Sequence, residues 1–172
     1  MKKVLIIDDE EKLLGLLSRI IRAEGFEVLE ARDCRSAIAK LEQSDVIAVL
    51  SDVLLPDGNG VDLVKRIKDL SPSTEIILMT AYGNIRDGVE AMKNGAFDYL
   101  VKGDENEKII PLLHRAVEKA TMQRRLHHLE EQLSDKYSFK NVIGRSKNIS
   151  VAIELAQKVA GTDTTVLLMG ET

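Results

Sequence analysis

The chain has 172 residues, enough for one domain of ordinary size plus an appendage. Apolar residues make up 44% and the formal net charge is −4, which supports a packed core and gives no ground for nucleic-acid binding by this stretch. One cysteine (Cys34) excludes an internal disulfide. No apolar run reaches signal-peptide length or the ~18–20 residues of a membrane span, so the sequence reads as a soluble, cytoplasmic protein.

Residues 2–7 form a continuous apolar strand of the kind buried on both faces, ending at Asp8-Asp9. Leu13, Leu16, Leu17, Ile20 and Ile21 recur at helical spacing, and Gly25 supplies the stop. A short strand over 26–31 and a weak helix over 36–42 follow, with Ala37, Ile38 and Leu41 inward. The strand over 46–52 ends on Asp52, and Pro56, Asp57 and Gly58 turn the chain at once. Gly60 opens a helix with Leu63, Val64, Ile67 and Leu70 on one face. A strand over 75–80 ends on Thr80; Ile85, Val89 and Met92 mark another helix, stopped at Asn94-Gly95. A fifth strand over 96–101 runs into Lys102. Five-fold alternation of strand and helix predicts a parallel α/β sheet with helices on both faces.

From about residue 106 the pattern changes. Leu112, Leu113, Ala116, Ala120, Met122, Leu126, Leu129 and Leu133 form a helical stripe, and Leu126, Leu129 and Leu133 are spaced a–d–a. A helix over ~106–135 would be about 45 Å long, more than one compact domain needs, so part of it is expected to pair. Pro111 either starts this helix or kinks its first turns. Ser146 caps a further helix with Ile149, Ile153, Ala156 and Val159 inward, ended by Gly161, and 164–169 is expected to be a strand. Gly170-Glu171-Thr172 then reads as an unfinished loop, so 138–172 resembles the opening of a domain cut short.

Asp8, Asp9, Asp52 and Lys102 fall at strand ends, where open α/β sheets bind ligands. Carboxylates ~4 Å apart repel by about 4 kcal/mol per pair at an effective dielectric near 20. Either their pKa values rise or a cation binds, and hard oxygen ligands suit Mg²⁺. With the charge relieved, Asp52 has the chemistry of a nucleophile toward phosphorus, Lys102 of a contact to a phosphoryl oxygen, and Thr80 of a hydroxyl donor to the same group.

Asp8-Asp9, Asp52 in Ser-Asp-Val-Leu-Leu-Pro-Asp-Gly-Asn-Gly, Thr80-Ala81, Tyr99 and Lys102 together make residues 1–120 resemble the receiver domain of bacterial response regulators. The resemblance implies a flavodoxin-like (CheY-like) five-stranded sheet of order 2-1-3-4-5. It implies Asp52 as phospho-acceptor and Lys102 as phosphoryl contact. Mg²⁺ would be held by Asp9, Asp52 and the Leu54 backbone carbonyl, with Asp8 acting largely through water. Thr80 and Tyr99 would be the switch pair. A sensor histidine kinase would be the phosphoryl donor, and the helix over 106–136 (Leu112, Met122, Leu126, Leu129, Leu133) would serve as a dimerisation linker. One departure is Gly103, where the family usually has proline; the loop holding Lys102 is therefore expected to be more flexible.

Residues 139–146 and 165–172 look like the opening of the AAA+ ATPase domain of NtrC-like sigma-54 activators. Only Gly170 of G-x-x-x-x-G-K-[ST] is present and the lysine is absent, so this stretch is expected neither to bind nor to hydrolyse ATP. The parent protein would engage sigma-54 RNA polymerase and DNA, whereas this stretch would not bind nucleic acid. Two other readings stay open. One is a metal-dependent phosphohydrolase with an Asp nucleophile, which would want Asp-x-Asp where the chain has Asp8-Asp9-Glu10. The other is a constitutive dimerisation module with a weakly switching site. His114, His127 and His128 read as surface histidines without partner acids, and the charges over 124–131 as a solvated helix face.

Overall fold

The computed structural model describes residues 2–81, 85–103, 106–136, 146–162, 165–167 and 169, with residues 106 and 133–136 described by their backbone alone. The elements are β1 (Lys3–Ile7), α1 (Glu11–Ala23), β2 (Glu27–Ala31), α2 (Cys34–Gln43), β3 (Val46–Asp52), β4 (Leu54–Leu55), β5 (Gly58–Asn59), α3 (Gly60–Leu70), β6 (Glu75–Thr80), α4 (Ile85–Lys93), β7 (Asp98–Val101), α5 (Asn106–Lys136) and α6 (Lys147–Val159). The chain divides into two compact units, Met1–Leu126 and His127–Thr172.

In the first unit β2-β1-β3-β6-β7 form one parallel sheet. This is the expected order 2-1-3-4-5, with the two-residue strands β4 and β5 inserted in the numbering. The continuous apolar runs are explained by burial on both faces. Val4 and Ile6 enter one core with α1 and α5 residues such as Leu17, Ile21, Leu113 and Ala116. Leu5 and Ile7 enter the other with Ala37, Leu63, Val64 and Ala91 from α2, α3 and α4. All seven residues of β3 and all six of β6 are buried. At about 25 cal/mol per Å² these two cores are the main favourable term in folding.

Several expectations shift. The helix expected over 36–42 begins at Cys34, because the Asp33 side chain caps it by accepting from the Ser36 N–H at 2.6 Å. The fifth strand starts at Asp98. The stripe Ile85, Val89 and Met92 faces outward, with Ile85 88% exposed. The sheet side of α4 is built instead on the small residues Ala91 and Gly88, and the Tyr99 ring occupies the space beside Gly88. Leu70 and, on α1, Leu16 and Ile20 are likewise exposed. α5 runs through Pro111, giving up one backbone bond near its start. Leu112 is buried in the sheet core and so is no part of a pairing face, whereas Met122, Leu126 and Leu129 are exposed. Leu133's side chain lies outside the described residues.

In the second unit Ser146 caps α6, accepting from the Ile149 N–H, and Ile149, Ile153, Ala156 and Val159 form its half-buried face. The strand expected over 164–169 is not formed at 165–167 or 169, since a strand needs a ladder partner and the described residues offer none there. The loop at Gly170 lies outside the described residues.

Candidate functional site

The C-terminal ends of β1, β3, β6 and β7 converge. β3 pairs with β6 so that Asp52 lies beside Met79, and β6 with β7 so that Thr80 lies beside Val101. The chain then bends, and the Lys102 N–H donates to the Thr80 carbonyl at 2.7 Å. This aims the Lys102 side chain back over the sheet. Its ammonium donates to Asp8 Oδ2 at 2.7 Å and to Asp52 Oδ2 at 2.6 Å. Gly103 follows at φ +97°, a conformation closed to proline, whose ring holds φ near −65°. In this geometry two carboxylates and a backbone bond contact Lys102.

Asp8 is fully buried and Asp52 largely so, while Asp9 is exposed. Burial pushes the Asp8 carboxyl above the usual carboxylate range; hydrogen bonds from Lys102 and the Glu10 N–H and the charge of Lys102 offset only part of this, and the charge of Asp52 adds to it. Burial also works against the Lys102 ammonium, but hydrogen bonds to Asp52 and Asp8, with their charges, outweigh it, so Lys102 holds its proton more tightly than a free lysine. Asp8 is not the cap of α1; that position is Glu10, which makes no side-chain cap bond.

Asp8, Asp9 and Asp52 each place a carboxylate oxygen within 4.8 Å of the others. Three hard oxygens at one mouth, one of them exposed to water, fit a small divalent cation that keeps part of its hydration. Asp52 Oδ1 also accepts from the Leu54 N–H at 3.3 Å, which brings the backbone of Leu54 close to this cluster.

Thr80 is buried at the end of β6. The Tyr99 ring packs against α4, and its hydroxyl is buried without a hydrogen-bond partner among the described residues. His114 does have a partner acid: its Nε2 lies 3.1 Å from Glu24 Oε2, and its ring packs beside Phe26 at 5.4 Å. His127 lies 3.5 Å from Glu131 one turn on.

Two supporting groups went unrecognised in the sequence. The Asp57 carboxylate, in the turn after Asp52, accepts from the backbone N–H groups of Cys34 (2.7 Å) and Arg35 (3.0 Å). It thereby ties the loop after Asp52 to the first turn of α2, and these bonds hold its carboxyl below the ordinary range. Gly60 donates its N–H to the Val53 carbonyl at 2.7 Å and lies directly against the Asp52 backbone. A helix start with bare N–H groups could have pointed to Asp57, but nothing in the spacing could have paired residues so far apart.

A five-stranded parallel sheet with this acid cluster and lysine defines a receiver-type α/β domain. The response regulator receiver domain family matches residues 4–114, and the chain belongs to that family. It is 29% identical over 171 residues to the regulatory protein AtoC of Escherichia coli K12, covering 99% of this chain and 37% of that protein. It is 31% identical over 170 residues to a putative NtrX-like response regulator of Rickettsia felis, covering 98% and 35%. The chain thus spans little more than a third of the length of these relatives. Among solved structures it is similar to the beryllofluoride-activated NtrC4 receiver domain dimer (34% identity, TM-score 0.66, 70% of this chain and 99% of that one). It is also similar to NtrX from Brucella abortus in complex with ADP (26% identity, TM-score 0.68, 94% and 35%). No helix among the described residues is long and apolar enough to cross a membrane.

Proposed function

We propose that this chain is a phosphorylation-controlled cytoplasmic receiver that takes a phosphoryl group on Asp52 from a sensor histidine kinase and uses it to regulate pairing of α5. The observation that carries the reading is the placement of Asp52: it ends a buried strand, bonded to Lys102 at 2.6 Å, with Asp8 and Asp9 at the same mouth. An Asp52 oxygen forms the new bond to phosphorus as the donor's phosphorus–nitrogen bond breaks, the electron pair leaving on the donor imidazole. Lys102 shifts from bridging two carboxylates to contacting a phosphoryl oxygen. Asp8, Asp9, Asp52 and the Leu54 carbonyl would hold Mg²⁺, which when bound supplies neutralisation of negative charge at the phosphoryl group. Thr80 donates its hydroxyl to that group, and Tyr99 responds to the space Thr80 vacates. The two arrangements of this pair are the bistable element that the modification biases.

Output would run through the exposed Met122, Leu126 and Leu129 of α5, joined by the outward face of α4. In the parent protein these contacts would govern an AAA+ domain of the sigma-54 activator type and hence transcription; this stretch itself turns over no substrate beyond its own phosphotransfer and dephosphorylation. The support is the similarity to AtoC and NtrX-like regulators over nearly the whole chain. Sedimentation equilibrium with Mg²⁺, with and without beryllofluoride, tests the reading. It predicts a shift in self-association that disappears in Asp52→Ala, and an identical response from that variant would overturn it.

A further inference from the structure

Glu75 is a carboxylate for which the phosphoryl chemistry has no use. It opens β6, and its side chain is completely buried. Two cations from different helices face it: Lys68 Nζ of α3 stands 3.5 Å from Oε2, and Lys119 Nζ of α5 stands 3.0 Å from Oε1. Among the described residues neither carboxylate oxygen makes a well-aligned hydrogen bond, so the triad is held mainly by charge. Burial lowers the proton affinity of Lys68 despite Glu75, and the charge of Lys119 adds to that, so Lys119 is the better placed of the two to balance the carboxylate. Lys119 also lies over the Phe97 ring, 5.4 Å from its centre.

Five residues further along α5, Arg124 spreads its guanidinium over three groups at the base of the sheet. It meets the Asp45 carboxylate at 2.9 Å, the Val46 carbonyl at 2.6 Å and the Ser73 hydroxyl at 3.2 Å. Val46 begins β3 with Asp45 just before it, and Glu75 begins β6 with Ser73 two residues before it. These are the two strands whose far ends carry Asp52 and Thr80. On α5 the contacting residues, Lys119 and Arg124, lie beyond residue 114, where the family match ends.

Holding α5 on the sheet does not require this. Ala116, Val117 and Ala120 already bury its apolar face. Of these groups only Glu75 is fully buried, whereas Lys119 is 49% and Asp45 84% exposed, so the ion pairs add little net stability; what they add is geometry, since the planar fork of an arginine fixes rotation and height together. The exposed stripe starts at Met122, between the two cationic contacts.

We infer that Lys68, Glu75, Lys119 and Arg124, with Asp45 and Ser73, form a latch that passes changes along β3 and β6 to the exposed stripe of α5, setting the rotation in which α5 meets a second copy of this chain. The latch deepens the proposed reading and rests on it. Residues 115–124 are then part of the receiver body, and free helix begins after Arg124.

Two variants break it from opposite sides: Lys119→Gln with Arg124→Gln on the helix, and Asp45→Asn with Ser73→Ala on the sheet. The second pair leaves α5 unaltered, so agreement between them rules out a simple loss of helix propensity. Each is compared with the unsubstituted chain by amide hydrogen exchange and by sedimentation equilibrium with Mg²⁺, with and without beryllofluoride. In both variants protection of the amides over 118–126 falls by roughly tenfold or more while β1, β3 and residues 109–113 keep theirs. The beryllofluoride-dependent shift in self-association is lost although fluorine NMR still shows beryllofluoride bound. Unchanged protection over 118–126, or an undiminished association shift in both variants, overturns the latch. Absence of any shift in the unsubstituted chain instead overturns the proposed output itself, and the latch with it.

Discussion

Gly60→Ala probes how Asp52, the proposed acceptor, is positioned without touching a charged group. Gly60 is the first residue of α3, and an added Cβ would overlap the Asp52 carbonyl oxygen while lying 3.0 Å from Val53 Cα and 3.2 Å from the Asp52 carbonyl carbon. All three obstacles are backbone, so no side chain can swing aside; relief needs β3 and α3 to part by about 1 Å, at an overpacking cost of about 1–3 kcal/mol. That lowers the melting temperature by roughly 2–12 °C for a domain of this size. The same shift moves the Asp52 carboxylate relative to Lys102, and about 1 Å of misplacement at a reacting group costs up to roughly 100-fold in rate. Phosphorylation by acetyl phosphate, followed by intact mass, should therefore slow by about one to two orders of magnitude, with a smaller loss of stability. A variant that matches the unsubstituted chain in both melting temperature and rate would refute the claim that the close approach of Gly60 sets the position of Asp52.

Other substitutions test the site's electrostatics. Lys102→Met leaves Asp8 and Asp52 facing each other without their shared cation and should cost about 2–4 kcal/mol in metal-free buffer. Millimolar Mg²⁺ should recover much of that loss, and urea titrations insensitive to Mg²⁺ would contradict it. Tyr99→Phe removes a buried hydroxyl that has no partner among the described residues, so stability should stay level or rise by up to about 1 kcal/mol; a clear loss would mean the hydroxyl is satisfied. Burial, with the hydrogen bond and charge of Asp57, pushes the Cys34 thiol up from 9.0 to about 11. Since the folded state binds this proton more tightly, the stability it contributes is full below pH 9.0 and lost as pH rises through about 11. Thiolate absorbance rising near pH 9 in the folded chain would disprove this.

What the sequence revealed and what it hid have physical causes. A strand covered on both faces has to be apolar throughout, so β1, β3 and β6 are visible as runs, and their ends mark Asp8, Asp52 and Thr80 directly. Helical periodicity, in contrast, reveals an amphipathic helix without saying which side meets the sheet. On α4 the small Ala91 and Gly88 take the inner face and Ile85, Val89 and Met92 the outer. On α5 the same ambiguity joined Leu112, which is core, to Met122 and Leu126, which are surface. Asp57 on the start of α2, and Lys119 and Arg124 on the bases of β6 and β3, are contacts between charged or polar groups distant in sequence. Such pairs follow no period and are visible only once the sheet order brings them together. Gly103 could be read from the sequence only as a departure from a family pattern; its positive φ, and the path that this gives the loop after Lys102, are visible only in the structure.

The most direct test is whether Asp52 is the phosphoryl acceptor. The chain is incubated with acetyl phosphate and Mg²⁺, its intact mass is measured, and the modified residue is mapped after borohydride trapping. The proposed function predicts a gain of one phosphoryl group, located on Asp52, that disappears in Asp52→Asn and on chelation of Mg²⁺. An undiminished gain in Asp52→Asn, or a trapped label on another residue, would contradict it.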